Sequence, residues 1–153
     1  MDFDSEMPAE QWTPVRYLPG AARFTKTVSE FDVYQFAGLT GDFNPVHVDA
    51  VFAAEHPVGE RVAHGAFLVG LMSSAGARWM AREKVDGLSF AYSGIRFVSP
   101  VKLGDTITCC YAKKAESLDG TRTYAGVDAF NQNNELVAFA QHVLWVNRSA
   151  TAG

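Results

Sequence analysis

The chain has 153 residues, 48% of them hydrophobic and 20% charged, with 13 Lys+Arg against 17 Asp+Glu for a formal net charge of −4. That length buries one core without staples, and the mild acidity gives no reason to expect a nucleic-acid partner. No apolar run is long enough to span a bilayer. Cys109 and Cys110 are adjacent in a strand-like run and point to opposite faces, which suggests neither a disulfide framework nor a metal cluster and favours a reducing compartment. The opening Met-Asp-Phe-Asp-Ser-Glu lacks the basic and apolar regions of a secretory signal, so a cytoplasmic protein is expected.

Residues 1–13 carry four acids, one proline and no base, and read as a flexible lead-in. Phe24 to Val28 alternates weakly as a first strand. Ser29 then opens a helix, with Asp32 three residues on in a capping-box arrangement and Phe31, Tyr34 and Phe36 on the expected buried face. Gly38 and Gly41 are expected to end it. Asp49 reads as the cap of a second short helix through Glu55, stopped by Pro57 and Gly59. From Val62 to Ala77 no residue is charged, and a helix over about Ala63–Met80 that is apolar all round should be buried. Gly65, Gly70 and Gly76 each weaken it by roughly 1 kcal/mol relative to alanine, so close approach of a sheet or a ligand is expected there.

After Gly87 the chain turns to β-formers: Leu88–Val98, Thr106–Lys114, Arg122–Phe130 and Leu136–Val146, separated by turn-forming residues. The last is apolar on both faces and belongs mid-sheet. The expected architecture is α+β, a long antiparallel sheet wrapped around one buried central helix. It forms a single domain over 14–148, with a flexible tail at 149–153.

One stretch carries chemistry: Gly41-Asp42-Phe43-Asn44-Pro45-Val46-His47. Gly41 tolerates positive φ and Pro45 pushes Asn44 towards extended geometry, so the backbone turns between Asp42 and His47. An acid and a base brought to one point can hold and polarise a water molecule. The bland alternative is that Asp42 caps a turn and His47 satisfies it.

These residues resemble the MaoC-like, or hydratase-2, family of hot-dog-fold enzymes. The aromatic Phe36 followed by Gly41-Asp42, Asn44-Pro45-Val46-His47 fits its signature, Ala63-His64-Gly65 a second block, and Phe97, Pro100, Val101, Gly104 and Asp105 a third. The resemblance runs from about Phe24 to Val146. It implies a hot-dog fold and an (R)-specific hydration of 2-enoyl-CoA, or the reverse dehydration of 3-hydroxyacyl thioesters. In that reaction Asp42 and His47 hold the water and the Gly65 N–H receives the thioester carbonyl. Asn44 and Ser73 would serve substrate binding, Ser73 in a supporting role. A helix N-terminus does offer unpaired donors and partial positive charge to an enolate-like oxygen.

His64 reads as structural near the helix start, His56 and His142 as ordinary histidines. Four histidines without ligand-like spacing give no expectation of a metal. No cofactor is expected, coenzyme A being part of the substrate. The expected partners are an acyl-CoA or acyl carrier protein thioester and a second copy of the chain in a homodimer or higher homo-oligomer, with neither nucleic acid nor membrane. The alternatives are a non-catalytic acyl-thioester-binding or partner-stabilising hot-dog subunit, and a thioesterase. Short, branched and dicarboxylic acyl chains all stay open.

Overall fold

The computed structural model describes residues 12–147, so the calls for a flexible lead-in over 1–11 and a tail at 149–153 fall outside the described residues. Five antiparallel strands, β1 (Ala22–Thr27), β2 (Gly87–Phe97), β3 (Thr106–Glu116), β4 (Arg122–Phe130) and β5 (Leu136–Val146), form one sheet in the order β1-β3-β4-β5-β2. The last four match the turn-bounded runs of β-formers to within two residues. β5 is an interior strand between β4 and β2.

The sheet curls around a 19-residue helix. Three helical pieces precede it: α1 (Glu30–Thr40), α2 (Pro45–Val48) and α3 (Ala50–Glu55); the long helix is α4 (Gly65–Glu83). α4 lays Leu68, Leu71, Met72, Ala75 and Trp79 on the inner face of the sheet, against Ile107, Cys109, Tyr111, Ala125, Val127 and Leu144. The strand period of two sends Cys110 and Ala112 to the outer face, where they join Trp12, Val15 and Phe139. The adjacent cysteines thus enter different cores, as the alternation requires. On the outer face the buried carboxylate of Asp128 accepts the Val15 N–H at 2.6 Å; its pKa is raised by burial, against the hydrogen bonds it accepts.

Several expectations need correction. Trp12, placed in the lead-in, is stacked on Phe139 at 4.7 Å and buried. α1 buries Val33 and Ala37 instead of Phe31 and Tyr34. The Tyr34 hydroxyl donates to the Val48 carbonyl at 2.8 Å and accepts from Arg61 at 3.0 Å, and a phenol with polar partners outside the core stays outside it. Phe31 is 69% exposed. Gly38 lies inside α1, and Gly41 alone ends it. α4 starts at Gly65 with His64 as N-cap and continues through Ala81-Arg82-Glu83, all good helix formers. Nor is α4 buried all round: Ala66, Gly70, Ser73 and Ala77 form an exposed stripe of small residues. Close approach explains two of its three glycines: a Cβ at Gly65 would sit 2.9 Å from the Phe97 ring and one at Gly76 3.2 Å from the Tyr111 ring, whereas Gly70 faces open space. No helix among the described residues is long and apolar enough to cross a membrane.

Candidate active site

Ser29 and Asp32 form the capping box that starts α1, each side chain meeting the other's backbone N–H. At the other end Gly41 adopts a left-handed φ of 80°, with its N–H on the Ala37 carbonyl at 2.8 Å. That conformation favours glycine, and it throws the chain sharply out of the helix. Asp42 Oδ1 accepts the Asn44 N–H at 3.2 Å, and Asn44 Oδ1 caps α2 by accepting the Val46 N–H at 3.3 Å. Pro45 occupies the first helical position, where its missing N–H costs nothing. Asn44 therefore has a structural task, building the single turn that carries His47. Asp49 closes the segment by accepting the Val51 and Phe52 N–H groups at 2.9 and 3.0 Å, which starts α3 as expected.

The stretch preceding α4 is held from two sides. The Val62 N–H meets the Val46 carbonyl at 3.3 Å, and the Ala63 N–H meets the Val101 carbonyl at 2.8 Å. His47 Nδ1 lies 2.7 Å from the Val62 carbonyl, and His64 Nε2 lies 2.9 Å from the backbone carbonyl of Asp42. A carbonyl only accepts, so Nδ1 of His47 and Nε2 of His64 carry the protons. In the neutral rings the lone pairs then fall on His47 Nε2 and His64 Nδ1. The two rings lie 3.8 Å apart, centroid to centroid, and His64 is 2% exposed with its Nδ1 lacking a hydrogen-bond partner. One ligand atom each from Asp42, His47 and His64 lie within 4.8 Å of one another.

Asp42 and His47 are thus brought together, and His64, read as merely structural, joins them as a third member. Only the fold reveals this, because 17 and 22 residues separate His64 from its two neighbours. Asp42 is exposed, His47 half-buried. Gly65 opens α4 beside the cluster, and its N–H has no acceptor among the described residues. A cavity of about 280 Å³ adjoins it, lined by Ala63, Gly65 and Leu68 on one side and by Phe97, Val98 and Pro100 on the other. Ser73 lies two turns along α4 on the exposed stripe, and no hydrogen bond among the described residues joins it to Asp42 or His47.

A second polar group lies within the sheet, around a histidine that carries no sequence signal of it. His142, expected to be ordinary, is buried in β5 with Nδ1 2.9 Å from the Tyr111 hydroxyl and Nε2 2.9 Å from the Ser89 hydroxyl, under the ring of Tyr92 at 4.1 Å. Burial pushes its pKa down to about 4. Burial also raises the phenols of Tyr111 and Tyr92, Ser73 opposing the shift at Tyr92. An apolar-looking strand gives no sign that its one imidazole finds two hydroxyl partners.

Residues 16–129 match the model of the MaoC like domain. The chain is 37% identical over 88 residues to an (R)-specific enoyl-CoA hydratase of Rhodospirillum rubrum, covering 58% of this chain and 59% of that protein. It is 39% identical over 82 residues to a 3-hydroxybutyryl-CoA dehydratase of Methylorubrum extorquens, covering 54% and 50%. In both cases less than two thirds of the relative's own length is spanned. Among solved structures, the (R)-hydratase from A. caviae involved in PHA biosynthesis superposes with a TM-score of 0.76 at 27% identity, covering 83% of this chain and 94% of that one. The sheet around α4 is the hot-dog fold of these R-hydratases. The family model covers most of the chain, from the start of the sheet through β4 and across the Asp42–His47 turn, and the chain belongs to the MaoC like domain family.

Proposed function

We propose that the protein catalyses (R)-specific hydration of 2-enoyl-CoA thioesters, or the reverse dehydration of 3-hydroxyacyl thioesters, with Asp42 and His47 holding the water. The observation that carries this reading is the closeness of the Asp42 carboxylate to His47, whose Nδ1 is engaged by the Val62 carbonyl, with α4 opening at Gly65, whose N–H meets no acceptor among the described residues. Both groups can accept a proton from one water. In the addition, the water oxygen bonds to the β-carbon as its proton passes to the acid–base pair. The thioester carbonyl gathers the negative charge as an enolate and meets the Gly65 N–H, where the α4 N-terminus stabilises it. The α-carbon then takes a proton back, so one water supplies both the hydroxyl and the hydrogen.

Coenzyme A enters as part of the substrate and no further cofactor is invoked; an acyl carrier protein thioester would present the same enoyl group. We read the protein as cytosolic and as a homodimer paired through β2. That strand is an edge of the sheet, with Leu88 68% and Phe90 63% exposed, and unpaired edges of this kind invite a partner strand. The test is loss of the conjugated-thioester absorbance across a panel of enoyl-CoA and enoyl-carrier-protein substrates. Turnover of at least one member is expected, and none by the folded protein would overturn the reading.

A further inference from the structure

We propose that Asp42, His47 and His64 form a binding site for a divalent transition-metal ion, Zn²⁺ foremost, and that the ion competes with the water the same residues would hold. Two imidazoles and a carboxylate are ordinary ligands for Zn²⁺, and here one ligand atom from each lies within 4.8 Å of the others. Their surroundings are those of metal ligands. A ligating histidine commonly donates its second ring N–H to a backbone carbonyl, which fixes the tautomer and the ring plane. His47 does so to Val62 at 2.7 Å and His64 to Asp42 at 2.9 Å. Each ring is thereby left with one lone pair, and that of His64 is buried without a partner.

The carboxylate and the two imidazoles together offer three acceptors, and a water has only two protons to give them. A divalent cation answers all three. Zinc bonds of about 2.0–2.2 Å place tetrahedral ligands roughly 3.4 Å apart, so a separation of up to 4.8 Å must close by as much as about 1.4 Å. The exposed side chain of Asp42 has the freedom to do this. Mixed imidazole–carboxylate ligation favours Zn²⁺ and Co²⁺ over the oxygen-seeking Mg²⁺. The ion would act as an inhibitor and not as an aid, because it consumes the lone pairs a general base needs. That consequence rests on the hydratase reading; the binding itself does not.

The experiment uses the full chain stripped with a chelator. Co²⁺ and Zn²⁺ titrations, followed calorimetrically and by the visible ligand-field band of Co²⁺, should show one ion per chain, with Mg²⁺ giving no response. His64→Gln retains a donor towards the Asp42 carbonyl but loses the lone pair. It should weaken Co²⁺ binding by at least about 100-fold, the most that loss of an outer-shell partner alone typically costs; His56→Gln should change nothing. Equal Co²⁺ affinity in wild type and His64→Gln, or no binding by wild type, overturns the site. Should His64→Gln not fold, ring ¹⁵N shifts of the wild-type histidines decide: Zn²⁺ should move His47 and His64 and leave His56 and His142 in place, and any other pattern refutes the assignment. Zn²⁺ should also inhibit competitively against an enoyl thioester and be reversed by chelator. Zn²⁺ on His47 and His64 in a protein that hydrates nothing would sink the hydratase reading and keep the site. An active hydratase whose histidines ignore Zn²⁺ would sink the site alone.

Discussion

Replacing Asp42 with Asn and His47 with Asn, singly and together, tests whether the two serve one water. The geometry selects these substitutions. Asn at position 42 keeps an oxygen for the Asn44 N–H, now accepted at 3.2 Å, but cannot take up a proton. Asn at position 47 places its amide N–H where Nδ1 donates to the Val62 carbonyl at 2.7 Å, yet offers nothing at the Nε2 position. The backbone turn should therefore survive both. A positioned acid or base contributes roughly 10²–10⁴-fold, or about 2.7–5.5 kcal/mol of transition-state stabilisation. Independent groups would multiply to about 10⁴–10⁸ in the double variant. Groups sharing a water should leave the double variant within about tenfold of the worse single one, as residues acting as a unit do. The assay is decay of the enoyl-thioester absorbance at saturating substrate, with circular dichroism confirming the fold. Singles that each keep more than about a tenth of wild-type kcat, or a double variant that falls by the product, would refute the shared-water reasoning.

Gly65→Ala puts a Cβ 2.9 Å from the Phe97 ring; thermal melts should show a loss of about 1–3 kcal/mol from overpacking, recovered when Phe97→Ala is added. In that background Gly65→Pro removes the N–H at a position that tolerates proline, and kcat should drop by about 10²–10³; turnover near that of the parent would free Gly65 of the oxyanion role. His142 is held neutral in the fold with a pKa of about 4 against 6.5 for an ordinary imidazole. The unfolded chain therefore binds a proton first as pH falls, so its contribution is full above about 6.5 and about 2–3 kcal/mol is lost on going down to about 4. The raised carboxyl of Asp128 pulls the other way. Urea titrations must therefore compare wild type with His142→Asn, and an unchanged acid limb in the variant would contradict the argument. Asp49→Ala should cost about 1 kcal/mol through loss of the α3 cap, and an unshifted melt would count against it. Light scattering should give twice the chain mass for wild type and a shift towards one chain for Phe90→Lys; a monodisperse wild-type monomer would end the β2-pairing proposal.

Much of the fold was legible because its signals are local. Ser29 with Asp32, Gly41, Pro45 and Asp49 act on backbone groups within four residues, so their caps and turns follow from the chain alone. The four long strands were bounded by turn residues, and Cys109 and Cys110 took opposite faces because a strand alternates. The Asp42–His47 pairing belongs to the same class, two residues five positions apart across one tight turn. What only the tertiary structure decided was which distant groups meet. His64 reaches His47 and Asp42 because hydrogen bonds from Val62 and Ala63 lash the start of α4 to α2 and to Val101. His142 becomes a neutral, doubly bonded core residue because Ser89 and Tyr111 come from two other strands. The face α1 buries went against the aromatic pattern, since Tyr34 found polar partners on Val48 and Arg61. Periodicity tells a residue which side of its own element it occupies; what stands opposite is set by how the elements pack, and chain separation carries no trace of that.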